Sequence, residues 1–337
     1  MAKYFNWRNG IIKEELEICS NILKNDGIVV IPTETVYGIG ANALSISAVN
    51  KIFEVKGRAK GNPLIVHISD IDNIYNLVKE VNEIEQKLID EFMPGPFTLI
   101  LKKKDIIPSN VTAGLDTVGV RIPSNIIAKE LINACGFPLA APSANISGKP
   151  SGTNIEDIKE ELENMVDVII DGGMCDIGIE STVVKVIDGI PNILRPGKIT
   201  PEDIEKVIGQ VKVNDKVFSK VNNTDMVESP GMKYKHYAPT ARCVLICGDN
   251  KIGKINELIT QNVAVIGNED NKKNINTDRF FSYGKSLEEI SKNIFTLLRK
   301  VDLLNPDLII IEGVEKEGLG IAIMNRLIRA CEYNVID

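Results

Sequence analysis

The sequence predicts an α/β protein in two parts: a mixed sheet with flanking helices, then a smaller α/β unit. Three observations carry this. Strand-length apolar runs and amphipathic helices alternate through the first 210 residues, yet several strands follow one another directly. That pattern suits a mixed sheet better than a pure βαβ repeat. The pattern then breaks at a polar, Asn-rich stretch, Lys212 to Asp225, which reads as a linker. Beyond it a second alternation runs to the C-terminus, and 337 residues make about two domains. The division expected is 1–210, a linker over 211–241, and 242–337.

The elements follow in order. Ile12, Leu16, Cys19 and Leu23 share a helical face within 11–25, and Asp26-Gly27 ends that helix. Ile28 to Ile31 is a buried strand stopped by Pro32. A helix follows Ser45, a strand covers Leu64 to Ile68, and helices fill about 70 to 92. Strands are expected at Phe97 to Leu101 and Val118 to Ile122, and a helix at 125 to 135. Next come a helix near 155 to 163 and strands at Val166 to Ile170, Thr182 to Val186 and Ile193 to Leu194. Thr200-Pro201-Glu202-Asp203 has an N-cap, a proline at N1 and acids in the first turn. In the second unit, strands are expected at Val244 to Ile246, Val263 to Ile266 and Leu308 to Ile311. Ser286-Leu287-Glu288-Glu289 is a capping box opening a helix, and Ile321 to Cys331 is the last helix.

Composition excludes several function classes. The net charge is −7, from 39 basic and 46 acidic residues, which argues against a broad grip on nucleic acid. The six cysteines show no CxxC spacing, and only His67 and His236 are histidines. A zinc site is therefore not expected, and reduced thiols in or near a core are. The N-terminus MAKYFNWRNG has no apolar signal core, and no run approaches the roughly 20 apolar residues that span a bilayer. A cytoplasmic protein with no membrane contact is the expectation.

Four segments can carry chemistry. Lys56-Gly57-Arg58-Ala59-Lys60-Gly61-Asn62 lies between a helix and a strand, with four basic residues and one acid over 51–62. Arginine forks and lysine charges suit phosphate, and glycines admit a close backbone approach; read alone, the segment serves equally as a solvated basic loop. The stretch from Ala141 to Gly152, APSANISGKPSG, offers hydroxyls and backbone N–H groups to a phosphate or sugar, or is an ordinary turn. PTETVYGIGANA, Pro32 to Ala43, follows the first strand, but its Gly-x-Gly is too short for a dinucleotide fingerprint, and no Walker A sequence exists. SPGMKYKHYAP, Ser229 to Pro239, is too rich in aromatic and basic side chains for a plain spacer and reads as a lid or a packed linker. Arg121 ends an apolar strand, His67 lies within another, and loops at Asp171-Gly172-Gly173, Glu180-Ser181-Thr182 and Arg195-Pro196-Gly197 can face one cleft.

Together these segments resemble one family. Lys56-x-Arg58 and Ser143-x-Asn145, following PTETVYG, are similar to the YrdC-like domain. The SPGMKYKHYAP linker and a C-terminal unit ending in GLGIAIMNRLIRA resemble the long form of threonylcarbamoyl-AMP synthase. The resemblance covers nearly the whole chain. It implies a YrdC-like twisted mixed sheet and a smaller Rossmann-like C-terminal domain. One departure is Ala59, where the family often has proline; no charge is lost.

The resemblance implies that L-threonine, bicarbonate and ATP, with Mg2+, give L-threonylcarbamoyl-AMP and pyrophosphate. The product would feed threonylcarbamoyl modification of tRNA adenosine next to the anticodon, completed by a separate transferase. A weak direct contact with tRNA is compatible with it. By the same resemblance, Lys56 and Arg58 are the catalytic cations. Arg58, Asn62, Thr117, Ser143, Asn145, Ser151, Arg195 and Tyr234 would hold ATP. Thr35, His67, Arg121, Ala141 and Ser181 would hold threonine, with Arg121 on its carboxylate. Lys233, Tyr234 and His236 would form the lid. No covalent nucleophile is needed, so positioning and charge neutralisation are the protein's task. The rival is a double-stranded RNA or tRNA-binding module without turnover. A carbamoyl-transfer protein of hydrogenase maturation would bring acylphosphatase-like and zinc-finger segments, which the sequence lacks.

Overall fold

A computed structural model describes residues 1–220, 229 and 236–337, so Lys233 and Tyr234 lie outside the described residues. Among the described residues the chain builds two sheets. The first has eleven strands: β1 (Lys3–Asn6), β2 (Val29–Ile31), β3 (Gly38–Asn42), β4 (Ile65–His67), β5 (Phe97–Lys102), β6 (Thr117–Arg121), β7 (Leu139–Ala140), β8 (Val168–Asp171), β9 (Thr182–Ile187), β10 (Ile190–Arg195) and β11 (Lys212–Val213). Their order is β1-β8-β2-β3-β7-β4-β6-β5-β9-β10-β11. Parallel pairs such as β4 with β6 alternate with antiparallel ones such as β2 with β3, so this sheet is mixed. The second sheet has β12 (Arg242–Ile246), β13 (Val263–Asn268), β14 (Phe280–Gly284), β15 (Leu308–Glu312) and β16 (Val335–Ile336), in the order β14-β13-β15-β12-β16. Its strands pair in parallel throughout.

Helices α1 (Lys13–Lys24), α2 (Ile46–Lys56), α3 (Ile74–Leu77), α4 (Glu83–Phe92), α5 (Ile126–Cys135), α6 (Ile155–Leu162) and α7 (Pro201–Ile208) belong to the first unit. Helices α8 (Lys251–Leu258), α9 (Leu287–Asp302) and α10 (Leu319–Ala330) belong to the second. The start signals act as local chemistry requires. Ser45 accepts from the Ala48 N–H at the head of α2. Thr200 with Asp203, and Ser286 with Glu289, close capping boxes on α7 and α9. Helix α1 starts one residue later than its apolar face suggests, leaving Ile12 exposed at the N-cap. The expected helical stretch at 70–92 is broken: a 3-10 turn and the short α3 come first, and Asn82 with Glu85 then caps α4.

Two strands run through segments where the sequence predicts none. β3 lies inside the glycine-bearing PTETVYGIGANA stretch and is almost wholly buried between β2 and β7. A Cβ on Gly38 would come 3.3 Å from the Ala141 Cβ, so the glycine is what lets the 141–145 loop close over this strand. β11 adds to β10 two residues beyond position 210, so the start of the linker stretch is paired into the first sheet.

The apolar residues sort into several cores. One fills one face of the first sheet with α2, α4 and α6 against it. Another packs α1 and α5 on the opposite face. The core of α9 and α10 includes Val36, Ile179 and Tyr237 beside Phe295 and Ile323. The first unit thus contributes side chains to the core of the second. Among the described cysteines, all six are free and only Cys247 is not buried. No helix among the described residues is long and apolar enough to cross a membrane.

Candidate functional site

The first sheet's strand ends converge on an open cavity of about 720 Å³, solvent at its mouth included. It is lined by the 33–38 turn, the end of α2, the ends of β4, β6 and β10, the 141–147 loop, and Glu180, Ser181, His236 and Tyr237. Among the described residues four cations border it, Lys56, Arg58, Arg121 and Arg195, against one lining carboxylate, Glu180.

His67 and Arg121 are placed by strand register. They are Cα partners at the ends of parallel β4 and β6 and therefore project to the same side. The Arg121 Nη2 donates to Glu34 Oε1 at 2.7 Å, with both side chains about 95% buried. Burial, then the charge of Arg121, pushes His67 down to about 3, so its imidazole is neutral. Its Nδ1 is buried without a partner.

Lys56 is the last residue of α2. Gly57 follows with φ +57°, a left-handed cap that turns Arg58 away from the helix axis. The Lys56 ammonium is almost fully buried and donates to the carbonyls of Ser143 and Asn145 (2.7 Å for the latter) and to Asn145 Oδ1 at 3.4 Å. These three acceptors match the three N–H bonds of an ammonium. Lys56 therefore holds the 143–145 turn from beneath, with its charge under the loop. Burial, then Arg58, pulls its pKa well below the usual lysine value. The turn closes on itself: Ser143 Oγ donates to Asn145 Oδ1 at 2.6 Å, and Asn145 Nδ2 donates to the carbonyls of Ile146 and Lys149. Arg58 Nη2 donates to the Pro63 carbonyl at 3.0 Å, which folds it over its own loop.

Ser181 and Arg195 join the two ends of the cavity. Arg195 donates to the Ser181 carbonyl from Nε at 3.1 Å and from Nη2 at 3.0 Å, and to Ser181 Oγ at 3.1 Å. Burial lowers the Arg195 guanidinium to about 10, leaving it charged at neutral pH.

The second unit reaches this wall through Arg326. This fully buried side chain of α10 donates to Glu180 Oε2 at 3.0 Å and to the Pro196 carbonyl at 2.8 Å. Glu180 Oε1 accepts from Ser151 Oγ at 2.6 Å. Burial alone would raise the Glu180 carboxyl, but Arg326, Arg195 and Ser151 together hold it below its ordinary value. Arg326 also lies 5.8 Å from the ring centre of Tyr237, which stacks on Phe295 at 5.0 Å.

Of the residues singled out in the sequence, Thr35, Lys56, Arg58, His67, Arg121, Ala141, Ser143, Asn145, Ser181, Arg195 and His236 line one cavity. Asn62, Thr117 and Ser151 do not border it. Ser151 stands behind it, bonded to Glu180; Asn62 is buried next to the lining Pro63; Thr117 opens β6, four residues before Arg121. Lys233 and Tyr234 lie outside the described residues. His236 borders the cavity, and burial beside Arg58 pushes it to about 3. Sequence reading missed Glu34, Tyr37, Tyr237 and Arg326. For Arg326 a signal existed: an Asn-Arg pair inside the otherwise apolar IAIMNRLIRA.

Residues 21–197 match a family model described as "Telomere recombination", shared by the Sua5, YciO and YrdC proteins. Residues 199–331 match the model "Threonylcarbamoyl-AMP synthase, C-terminal domain". A Pyrococcus abyssi protein named threonylcarbamoyl-AMP synthase is 43% identical over 100% of this chain and 99% of its own length. A Bacillus subtilis protein of the same name is 44% identical over 94% of this chain and 92% of its own. The crystal structure of Pyrococcus abyssi Sua5 complexed with L-threonine superposes with a TM-score of 0.93 at 43% identity, covering 99% of this chain and 98% of that one. With residues 21–197 and 199–331 matched by the two family models and a relative 43% identical over the whole chain, the chain belongs to the threonylcarbamoyl-AMP synthase family of enzymes.

Proposed function

We propose that the enzyme joins L-threonine, bicarbonate and ATP into L-threonylcarbamoyl-AMP, releasing pyrophosphate. The product serves the threonylcarbamoyl modification of tRNA adenosine beside the anticodon, which a separate transferase completes in the cytoplasm. The observation that carries this reading is four cations around one cavity in a chain of net charge −7. Two anions, a carbamate and a triphosphate, must meet, and such a cavity lowers their mutual repulsion.

The reading assigns the cavity two ends. Arg121 takes the threonine carboxylate, and neutral His67 with Thr35 faces the rest of the amino acid. Arg58, Ser143 and the 143–147 turn face the nucleotide, with Asn62, Thr117 and Ser151 supporting that end. Ser181 and Arg195 stand at the junction. The threonine ammonium first gives up a proton, and the free amine then condenses with bicarbonate to a carbamate with loss of water. A carbamate oxygen then attacks the α-phosphorus and pyrophosphate leaves. No covalent bond to the enzyme forms, so orientation is the main contribution.

Among the described residues, no cluster of three or more His, Cys, Asp or Glu could hold a metal ion. The side chains present therefore fit a Mg2+ ion carried in by the triphosphate and held by phosphate oxygens and water, where it neutralises phosphate charge. The division expected from the sequence is kept as part of the proposal: 1–210 for catalysis, 211–241 as a linker that closes the site with Lys233, Tyr234 and His236, and 242–337 as the unit bracing the wall.

The test is pyrophosphate release from ATP by purified protein, with threonine and bicarbonate each omitted in turn, and mass spectrometry of the adenylate. Release that ignores either substrate would refute the proposal. Tight, salt-sensitive RNA binding without turnover would favour a binding module instead.

A further inference from the structure

The turn between β2 and β3 holds a buried carboxylate that the reaction described above does not use. Thr33 Oγ1 donates to the Val36 carbonyl at 2.6 Å and accepts from the N–H groups of Thr35 and Val36, closing the turn on itself. Its outer edge is tied down as well: the Glu34 carbonyl accepts from the Ile177 N–H at 2.9 Å, and the Thr35 carbonyl from the Gly178 N–H at 3.0 Å. The Glu34 side chain is thus delivered from a backbone with little freedom.

That side chain makes one contact with Arg121, Oε1 to Nη2 at 2.7 Å. Its other oxygen, Oε2, is buried with no partner, and so is the Arg121 Nε. A pair serving only to cancel charge would gain from bidentate contact. Here one oxygen meets one nitrogen, and the remainder of the guanidinium is not engaged by Glu34. Arg121 lines the cavity and Glu34 does not. Glu34 therefore stands behind the arginine relative to the ligand space.

We infer that Glu34 is a positioning residue, holding the Arg121 guanidinium in the one orientation that presents its open face to the carboxylate of the amino-acid substrate. This rests on the reading that Arg121 receives that carboxylate. Without Glu34, the long arginine side chain would sample other rotamers in the cavity, and ordering it again would oppose binding.

Calorimetric titration of L-threonine and, separately, ATP into four variants tests this. Arg121→Ala should lose threonine binding. Glu34→Ala should weaken threonine at least tenfold and leave ATP within twofold. Glu34→Gln should stay within threefold of the parent, because its amide oxygen still accepts from Nη2 and the second oxygen has no partner to lose. Glu34→Asp keeps the charge but draws the acceptor back; it should weaken threonine alone, and it serves as the reading if Glu34→Ala does not fold. Normal threonine binding by Arg121→Ala would remove the carboxylate assignment and the inference with it. Loss in Arg121→Ala with none in Glu34→Ala or Glu34→Asp would overturn only the inference. Equal loss in the Ala and Gln variants would make charge, not orientation, the role of Glu34. Parallel loss of threonine and ATP in the Glu34 variants would reduce it to general support of the fold.

Discussion

The cavity has two kinds of wall. The backbone positions of His67 and Arg121 are held by the register of two paired strands, where shifting either means breaking ladder hydrogen bonds. The 143–152 loop and Glu180 are held by charges reaching in from elsewhere. Lys56 holds the loop from beneath, and Arg326 grips Glu180. Arg299 of α9 pairs with Glu161 at 2.8 Å and donates to the Pro150 carbonyl. Glu161 in turn accepts from the Ile146 N–H. A strand wall takes its backbone positions from neighbouring strands, and a single carboxylate, Glu34, meets Arg121 from within the same unit. A loop wall has few ladder bonds of its own, so its shape depends on a few ions, two of them from the second unit: Arg326, fully buried, and Arg299, partly so.

Variants can break this contrast, beginning with the largest expected effect. Arg326→Ala leaves the Glu180 carboxylate buried without its main counter-charge. Breaking such a pair costs about 3–5 kcal/mol, readable as a lower urea midpoint together with slower pyrophosphate release. Lys56→Met fills the same space without the three donors. ATP affinity should fall tenfold or more, about 1.4 kcal/mol, while threonine affinity changes less; equal loss of both ligands would mean the walls are not independent. His67 tests the strand wall, since register forces it beside Arg121. Unfolded, it takes a proton near 6.5; folded, only near 3. Its contribution is thus complete above pH 6.5, and acid favours the unfolded chain from 6.5 down to 3. The loss is about 1.4 kcal/mol per pH unit, and His67→Asn should lack that share of the slope when stability is followed from pH 7 to 4. Arg299→Ala is the mildest. Lys149 still pairs with Glu161, so about 1 kcal/mol of stability and a small rise in the ATP KM are expected.

Much of the fold was legible because its signals are local. Ser45, Thr200 and Ser286 announce helices through hydroxyls that cap the next turn, and Ile28 to Ile31 or Leu308 to Ile311 announce strands by burial. β3 was not legible. Its glycines carry no strand signal, and they are explained by close neighbours distant in sequence or across the ladder: Ala141 against Gly38 and the Val29 carbonyl against Gly40. α3 falls inside the helical stretch expected at 70–92, but its short length and the break before α4 were not legible. In the site, Lys56, Arg58, Ser143 and Arg121 stood out as residue types, and family resemblance grouped them. What Lys56 touches did not follow from type: a lysine in a basic loop suggests phosphate, whereas its three acceptors are loop carbonyls and an amide oxygen. Glu34 and Arg326 escaped for a related reason. Each acts through a partner 87 and 146 positions away, and no periodicity records that distance.

Glu180 shares its two oxygens between Ser151 of its own unit and Arg326 of the other. For chain engineering this makes the obvious cut near residue 210 a poor one. It would strand an anion in the first half and uncover Val36 and Ile179, which now sit in the apolar cluster of the second half. The same holds for chimeras: exchanging C-terminal halves between related sequences transplants the cation without the pocket shaped for it. The halves read as separable modules, but the positions of Glu180, Ser151 and Arg326 should be inherited as a set.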